Sequence, residues 1–596
     1  LKSKIFPLFL SLLAGLARAK TYYVAPNGSD SDPGSLTQPF KSIQKAADLM
    51  QAGDSCLLRS GTYRECVQPP RGGTADRAIV YQAYPGETPV IKGSEIISSW
   101  VLESGTVWRA EIEDAFFKGD NPYLTNENGP WLNFGDENHL GEVYLEGKPY
   151  TERFIKSDLD AIPGTWFTAH AGATTFIWAN FGSVSPNATA VEINVREGCF
   201  IPSVPGLAYL TLDGLDLRQG ACQWAPPTRP QRGLLNTLGG NHWVIQNCRV
   251  SDAKNVGICG ASGKGAGYAQ GHHRILANLI ERCGQAGIAG ERGLNASLIE
   301  GNLIQDINYK KAYGGYETGG IKFHNSADLT LKNNIIRRVS KGRGHGMFTG
   351  IWVDFANQGC RLTGNVIYDI EDSSMGVCFE MNHGPNLMDN NILIGSPVSN
   401  CSENMVFAHN LFVSSGIRGF DCGGETRTSA WYLPHSLSRT GNANIAWTKG
   451  DRVFNNIFVA SDLEDANSKD YQADYNVYYQ DSLIACAGDA HSVQAQKFRP
   501  KFSHTDHEDG VSFSFQADAA PHTVDGPLIT KDFIGLVQAV NLGLENPDAS
   551  PIILDQDLLG SKRDAQHPVA GPMEKLVNGS NRLRVTAGPN YLKSKN

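Results

Sequence analysis

The sequence predicts an all-β chain: a right-handed parallel β-helix interrupted by an inserted β-sandwich. Three observations predict it. An Asn-plus-apolar unit recurs through the middle of the chain, a five-residue glycine-led unit recurs inside it, and a block near the N-terminus alternates polar and apolar residues without either repeat. At 596 residues the chain is too long for one ordinary globular core, so an architecture that grows along one axis accommodates it better.

The first repeat comprises Asn247-Cys248-Arg249-Val250, Asn278-Leu279-Ile280, Asn302-Leu303-Ile304 and Asn334-Ile335-Ile336. It continues through Asn365-Val366-Ile367, Asn391-Ile392-Leu393, Asn410-Leu411-Phe412 and Asn456-Ile457-Phe458. Most neighbours lie roughly 20 to 32 residues apart, the length of one solenoid coil. One coil cannot bury its own apolar face, so stacking must supply the core. Stacked Asn side chains can hydrogen-bond from coil to coil as amide ladders do. A leucine-rich repeat would need a Leu-x-x-Leu-x-Leu frame, which is missing.

The elements follow in order. Residues 1–19 read as a signal peptide: Lys2 and Lys4 open it, Ile5 to Leu16 is mainly apolar, and Ala17-Arg18-Ala19 is a small-x-small cleavage site. The expectation is a secreted or periplasmic protein with no membrane association after cleavage, since the apolar run is too short to span a bilayer. Residues 20–91 form a cap and the first coils, with Ile43, Ala46, Ala47 and Met50 at helical spacing over the open end. Residues 92–200 form the sandwich, with alternating stretches at 141–147 and 175–181. Residues 201–500 carry the β-helix, and 501–596 close its far end with strands and loops.

Net charge is −9 with no concentrated basic run, which argues against a nucleic-acid partner. The twelve cysteines are scattered, with no metal-ligand spacing; most, such as Cys248 and Cys283, read as small buried side chains. No metal or cofactor is called for.

The second repeat aligns Gly287-Ile288-Ala289-Gly290-Glu291, Gly320-Ile321-Lys322-Phe323-His324, Gly350-Ile351-Trp352-Val353-Asp354 and Gly376-Val377-Cys378-Phe379-Glu380. Strand side chains alternate faces, so the second and fourth residues point inward and the third and fifth outward. Glu291, His324, Asp354 and Glu380 then form one outward column, beside Ala289, Lys322, Trp352 and Cys378. Asp354 and Glu380 are 26 residues apart, one coil. Carboxylates in register on adjacent strands lie about 5 Å apart, the separation of a retaining glycosidase rather than an inverting one. Stacked carboxylates repel, and such an arrangement persists more easily where a reaction needs it. His383 could orient an acid or bind a sugar hydroxyl. Trp352 suits stacking on a sugar face. Trp224, in Trp224-Ala225-Pro226-Pro227-Thr228, and His435, in Tyr432-Leu433-Pro434-His435, stand in stiff loops able to wall a pocket.

At these residues the chain resembles the glycoside hydrolase family 120 β-xylosidases. The resemblance runs over nearly the whole mature chain. It includes Ile91-Lys92-Gly93-Ser94-Glu95, His139-Leu140-Gly141-Glu142-Val143-Tyr144-Leu145 and Val191-Glu192-Ile193-Asn194-Val195-Arg196. It also includes the Trp224 segment, Gly320-Ile321-Lys322-Phe323-His324, Trp352-Val353-Asp354-Phe355 and Phe379-Glu380-Met381-Asn382-His383-Gly384-Pro385. The family pattern is departed from between Gly260 and Gly320, and the stretch between Asp354 and Glu380 is a few residues longer. The resemblance implies a jelly-roll insert that shapes a pocket and a retaining mechanism. It implies Asp354 as nucleophile, Glu380 as acid/base, and His324 lining the sugar site.

The resulting expectation is a secreted retaining exo-glycosidase, a β-xylosidase taking an oligosaccharide substrate. Three alternatives stay open, the first being another glycosidase on the same β-helix fold. A polysaccharide lyase on the same fold needs a base and a group to neutralise a uronate, and Lys322 is the only base in the column. A non-catalytic carbohydrate-binding adhesin would not depend on Asp354 or Glu380.

Overall fold

The computed structural model describes residues 18–225, 231–260, 268–371, 375–420, 428–444, 449–464, 471–482, 489–537 and 541–593. The signal-peptide segment therefore lies outside the described residues except for its end, as do Pro226 to Thr228 of the Trp224 loop.

Three long parallel sheets run the length of the molecule. Two have thirteen strands and one has nine. Their registers stack one apolar residue per coil. In the first sheet the column runs Leu212, Ile245, Ile275, Ile299, Leu331, Leu362, Met388, Phe407 and Val453. In the second it runs Leu217, Val250, Ile280, Ile304, Ile336, Ile367, Leu393, Phe412, Phe458 and Tyr478. All of these belong to one continuous buried core, which no single coil could form alone.

The asparagine repeat is a ladder between these two sheets. Each Asn Oδ1 accepts from the backbone and side-chain amides of the Asn one coil earlier, at 2.8–3.1 Å, from Asn278 through Asn302, Asn334, Asn365, Asn391, Asn410 and Asn456 to Asn476. The first rung differs from the expectation. Cys248, not Asn247, occupies the ladder position: its backbone N–H donates to Asn278 Oδ1 at 2.9 Å, while Asn247 turns out to Asp213. A buried thiol fits there because its Sγ–H still meets the Gln246 carbonyl, at 3.2 Å. Cys248 and Cys283 are free and buried; Cys401 is disulfide-bonded.

The nine-stranded sheet contains Ala286–Glu291, Thr318–His324, Phe348–Asp354, Val377–Glu380 and Val398–Cys401. Its glycine repeat has a steric cause. A Cβ on Gly287, Gly320 or Gly350 would lie 2.6–2.7 Å from the carbonyl oxygen of the glycine one coil on. The coils approach too closely there for any side chain.

Over the N-terminal end, Ile43–Leu49 is a helix capped by Ser42, with Ile43, Ala46, Ala47 and Met50 buried on the first coils. Near the other end, strands Phe502–His507, Gly510–Ala517 and Gly579–Thr586 pair antiparallel and pack on the second sheet. No helix among the described residues is long and apolar enough to cross a membrane.

The insert interrupts one early coil. The chain leaves the β-helix after Pro89–Lys92 and regains it at Phe200, which bridges Val67 and Leu235, and at Leu210–Asp213. Between them lie a four-stranded antiparallel sheet and a five-stranded mixed sheet, closed around Trp100, Ile112, Tyr123, Trp166, Ile177 and Val191.

The insert is fastened to the turns that lead into the nine-stranded sheet. Leu132–Phe134 pairs antiparallel with Gly314–Gly315. Gly314 is obligatory, since a Cβ would fall 1.6 Å from the Arg343 carbonyl. Glu127 of the insert is fully buried, its carboxyl pushed up to about 7 by desolvation; it accepts from Asn255 at 2.9 and 3.0 Å, Tyr313 at 2.7 Å and the Trp224 backbone at 3.2 Å. Glu142 binds Lys254 at 2.8 Å and also Lys310, beside a cavity of about 360 Å³. These turns precede the strands whose far ends carry the carboxylate column, so this ion cluster is separate from it.

Candidate active site

The column forms in the expected register. Glu291 pairs with His324, His324 with Asp354, and Asp354 with Glu380 on successive parallel strands. Beside it Ala289, Lys322, Trp352 and Cys378 pair in the same order. Ile288, Ile321, Ile351 and Val377 point into the core, as do Phe323, Val353 and Phe379. Period two thus sets the outward direction of both columns.

The outward face is covered, not open. Lys322, Trp352, Asp354 and His324 are all buried. Lys322 Nζ donates to Asp354 Oδ2 at 3.0 Å and lies 2.7 Å from Glu317 Oε2. His324 Nε2 is 3.1 Å from the same Asp354 oxygen and 3.6 Å from Glu317. Asp354 Oδ2 is therefore held by the Lys322 ammonium, with the His324 ring nitrogen close by but outside hydrogen-bond geometry. Burial works against charge on both Lys322 and Glu317, but each compensates the other: the ammonium is held above its ordinary range and the Glu317 carboxyl below its own.

Glu380 is in the opposite condition. Burial and the facing Asp354 carboxylate push it up to about 7, with Lys322 and Trp352 pulling the other way. Its Oε2 accepts from the Trp352 indole N–H at 3.0 Å. A carboxyl raised in this way, facing a second carboxylate, is what a general acid beside a nucleophile requires.

Trp352 corrects an expectation. It is 1% exposed and cannot stack on a sugar: its N–H is spent on Glu380, and Lys322 Nζ lies 3.2 Å from its ring centroid. Trp224 is likewise buried, donating to the Pro130 carbonyl at 3.3 Å and packing edge-on against Tyr313; it belongs to the insert seam. His435 is also outside the column, ion-paired to Asp328 at 2.9 Å and Glu545 at 3.3 Å, which holds its imidazole above the ordinary range against partial burial. Glu291 ends its strand half-buried, and that desolvation raises its carboxyl. His383 follows Glu380 on the next turn, buried, with Nδ1 3.1 Å from Glu403.

Glu317 was not foreseen. It sits just before its strand at φ +83°, outside any period, and no spacing marks it. Trp131 of the insert and Tyr316, 50% and 36% exposed, meet edge-on at 6.0 Å beside it. They are exposed aromatics on the seam between the insert and the β-helix, and only the tertiary contact brings them together.

Glu317, His324 and Asp354 present ligand atoms within 4.8 Å of one another, a spacing that suits a metal ion. The Lys322 ammonium lies against the same two carboxylate oxygens, so the position a cation would take is already filled by protein.

Fold and site together define a right-handed parallel β-helix protein with a glycosidase-type carboxylate pair. Residues 22–117 match the Pel9A-like right-handed β-helix region, 97–162 the insertion domain of glycoside hydrolase 120, and 233–427 the right-handed β-helix region. The structure of XylC in complex with xylose is similar over 95% of this chain and all of that one, with a TM-score of 0.86 and 29% identity. These findings show a glycoside hydrolase that carries the glycoside hydrolase 120 insertion domain on a right-handed β-helix and is similar to XylC. Two curated relatives match only locally: pectate lyase PEL9 of Emericella nidulans at 41% over 80 residues, and YwoF of Bacillus subtilis at 34% over 77. Each match covers 13% of this chain, and 20% and 16% of those proteins respectively.

Proposed function

We propose that the protein is a secreted retaining exo-glycosidase, a β-xylosidase acting on xylo-oligosaccharides. The observation that carries this reading is the register of Asp354 with Glu380, whose carboxyl is pushed up to about 7 by burial and the facing Asp354. XylC, which shares the whole architecture, is known in complex with xylose, and this supports the choice of sugar. Export rests on the signal-peptide pattern of residues 1–19, and exo action on the insert, whose strand Leu132–Phe134 pairs with Gly314–Gly315 just before Glu317.

Lys322 holds Oδ2 of Asp354, with the His324 ring beside it, which leaves Oδ1 to attack the anomeric carbon. Glu380 gives its proton to the departing glycosidic oxygen. The resulting glycosyl ester on Asp354 is neutral, so the repulsion that kept Glu380 protonated disappears. Glu380 then takes a proton from water, the hydroxide displaces Asp354, and the sugar leaves with its original anomeric configuration.

A lyase reading is disfavoured by Lys322, whose ammonium is enclosed by Glu317, Asp354 and the Trp352 ring and is unavailable as a base. The local likeness to PEL9 is short and carries no weight for the chemistry. The test is a screen of aryl β-glycosides, β-xyloside first, with the product anomer followed by NMR. β-Xylose as the first product supports the reading; α-xylose, or no turnover of the β-xyloside, overturns it.

A further inference from the structure

We propose that Trp352 is a positioning residue that decides which oxygen of Glu380 carries the catalytic proton. The proposal rests on the reading of Glu380 as acid/base and goes beyond it.

An indole N–H donates and cannot accept. Its partner Glu380 Oε2, at 3.0 Å, must therefore present a lone pair in both protonation states. The carbonyl oxygen of a carboxylic acid accepts better than its hydroxyl, so when Glu380 is protonated the bond favours the hydrogen on Oε1; when it is ionised the same bond holds the carboxylate in place and leaves Oε1 to accept from water. One donor thus serves both steps without moving.

The surroundings fix the indole. Trp352 is buried, between Lys322 and Cys378 in register on either side. The Lys322 ammonium lies 3.2 Å from the ring centroid and is itself held by Glu317 at 2.7 Å and Asp354 at 3.0 Å. A cation over the ring face draws electron density from the indole and makes its N–H a better donor. The chain of contacts Glu317–Lys322–Trp352–Glu380 therefore links the counter-ion of the nucleophile to the acid. The charged groups facing Glu380 are Asp354, Lys322 and Glu317 from the preceding coils; Cys378 lies on its own strand, and Cys401 opposite it on the next coil is uncharged in its disulfide.

Trp352→Phe keeps a ring over Lys322 and removes the donor. With a poor leaving group such as xylobiose, kcat should fall about 10- to 100-fold, part of the total available from general acid catalysis. With a nitrophenyl xyloside it should fall less than about threefold, because little protonation is needed. The basic limb of kcat/KM should move to higher pH, since the lost hydrogen bond had been lowering the Glu380 pKa. Equal losses on both substrates with an unmoved basic limb would mean that Trp352 only packs, and the proposal would be wrong. A rise in KM alone would point to sugar contact and overturn it too. Glu380→Ala run in parallel separates the parent reading, which fails if that variant has no leaving-group dependence.

A second measurement needs no Trp352 variant. With indole nitrogens labelled in the wild-type protein, one of the ten tryptophan N–H signals should titrate with a midpoint near 7. That titration should vanish in Glu380→Gln. Ten signals without such a response would overturn the proposal.

Discussion

Glu380 stands directly across from Asp354 on the next coil, and the two carboxyls are held by different partners: the Lys322 ammonium on Asp354, the Trp352 indole N–H on Glu380. A direct ammonium contact on Asp354, and burial with only a neutral donor in contact on Glu380, suit the two stacked carboxyls to opposite roles.

The roles separate under mutation. Asp354→Ala should abolish turnover of every substrate, because no glycosyl ester forms. Glu380→Ala should still release a good leaving group, accumulate the intermediate, and regain turnover with azide as the β-glycosyl azide. Acid/base catalysis contributes about 10²–10⁴-fold, and a better leaving group or nucleophile replaces part of it. Rescue of Asp354→Ala to a β-azide instead would exchange the two roles.

The pH profile follows from Glu380. It must be protonated to act in the first step, and its pKa is raised to about 7. kcat/KM should hold below that value and decline tenfold per unit as pH rises through it. A basic limb near 4.5, the ordinary carboxylate range, would contradict the assignment.

Lys322→Met removes the cation shared by Glu317 and Asp354. Leaving two buried carboxyls without it should cost roughly 3–5 kcal/mol, seen as a lower Tm. Activity should drop by at least about tenfold, as Asp354 loses its counter-ion. Glu317→Gln, which keeps shape and loses charge, should be milder in both measurements.

The asparagine ladder should be sensitive in its middle and tolerant at its first rung. Asn334 donates to Asn365 and to the Ile299 carbonyl, and accepts from Asn302. Asn334→Ala leaves these groups unpaired in the core, at roughly 1–3 kcal/mol each. Cys248→Asn supplies the ordinary ladder residue and should be neutral or stabilising. Denaturant unfolding of the two variants compares them directly.

Much of this was legible in the amino-acid order because a solenoid repeats itself. A period of one coil exposes the ladder, and the period of two within a strand exposes which residues face out; together they placed Glu291, His324, Asp354 and Glu380 in one column. The sequence by itself therefore determined the β-helix, the insert and the carboxylate pair. Only the tertiary structure decided what covers the outward face. Glu317 lies before its strand at a positive φ, Trp352 is sealed by Lys322 and Glu380, and Trp224 and His435 are drawn into other contacts. Periodicity reports direction and not neighbours: a residue facing outward meets solvent or protein according to what other segments bring over it.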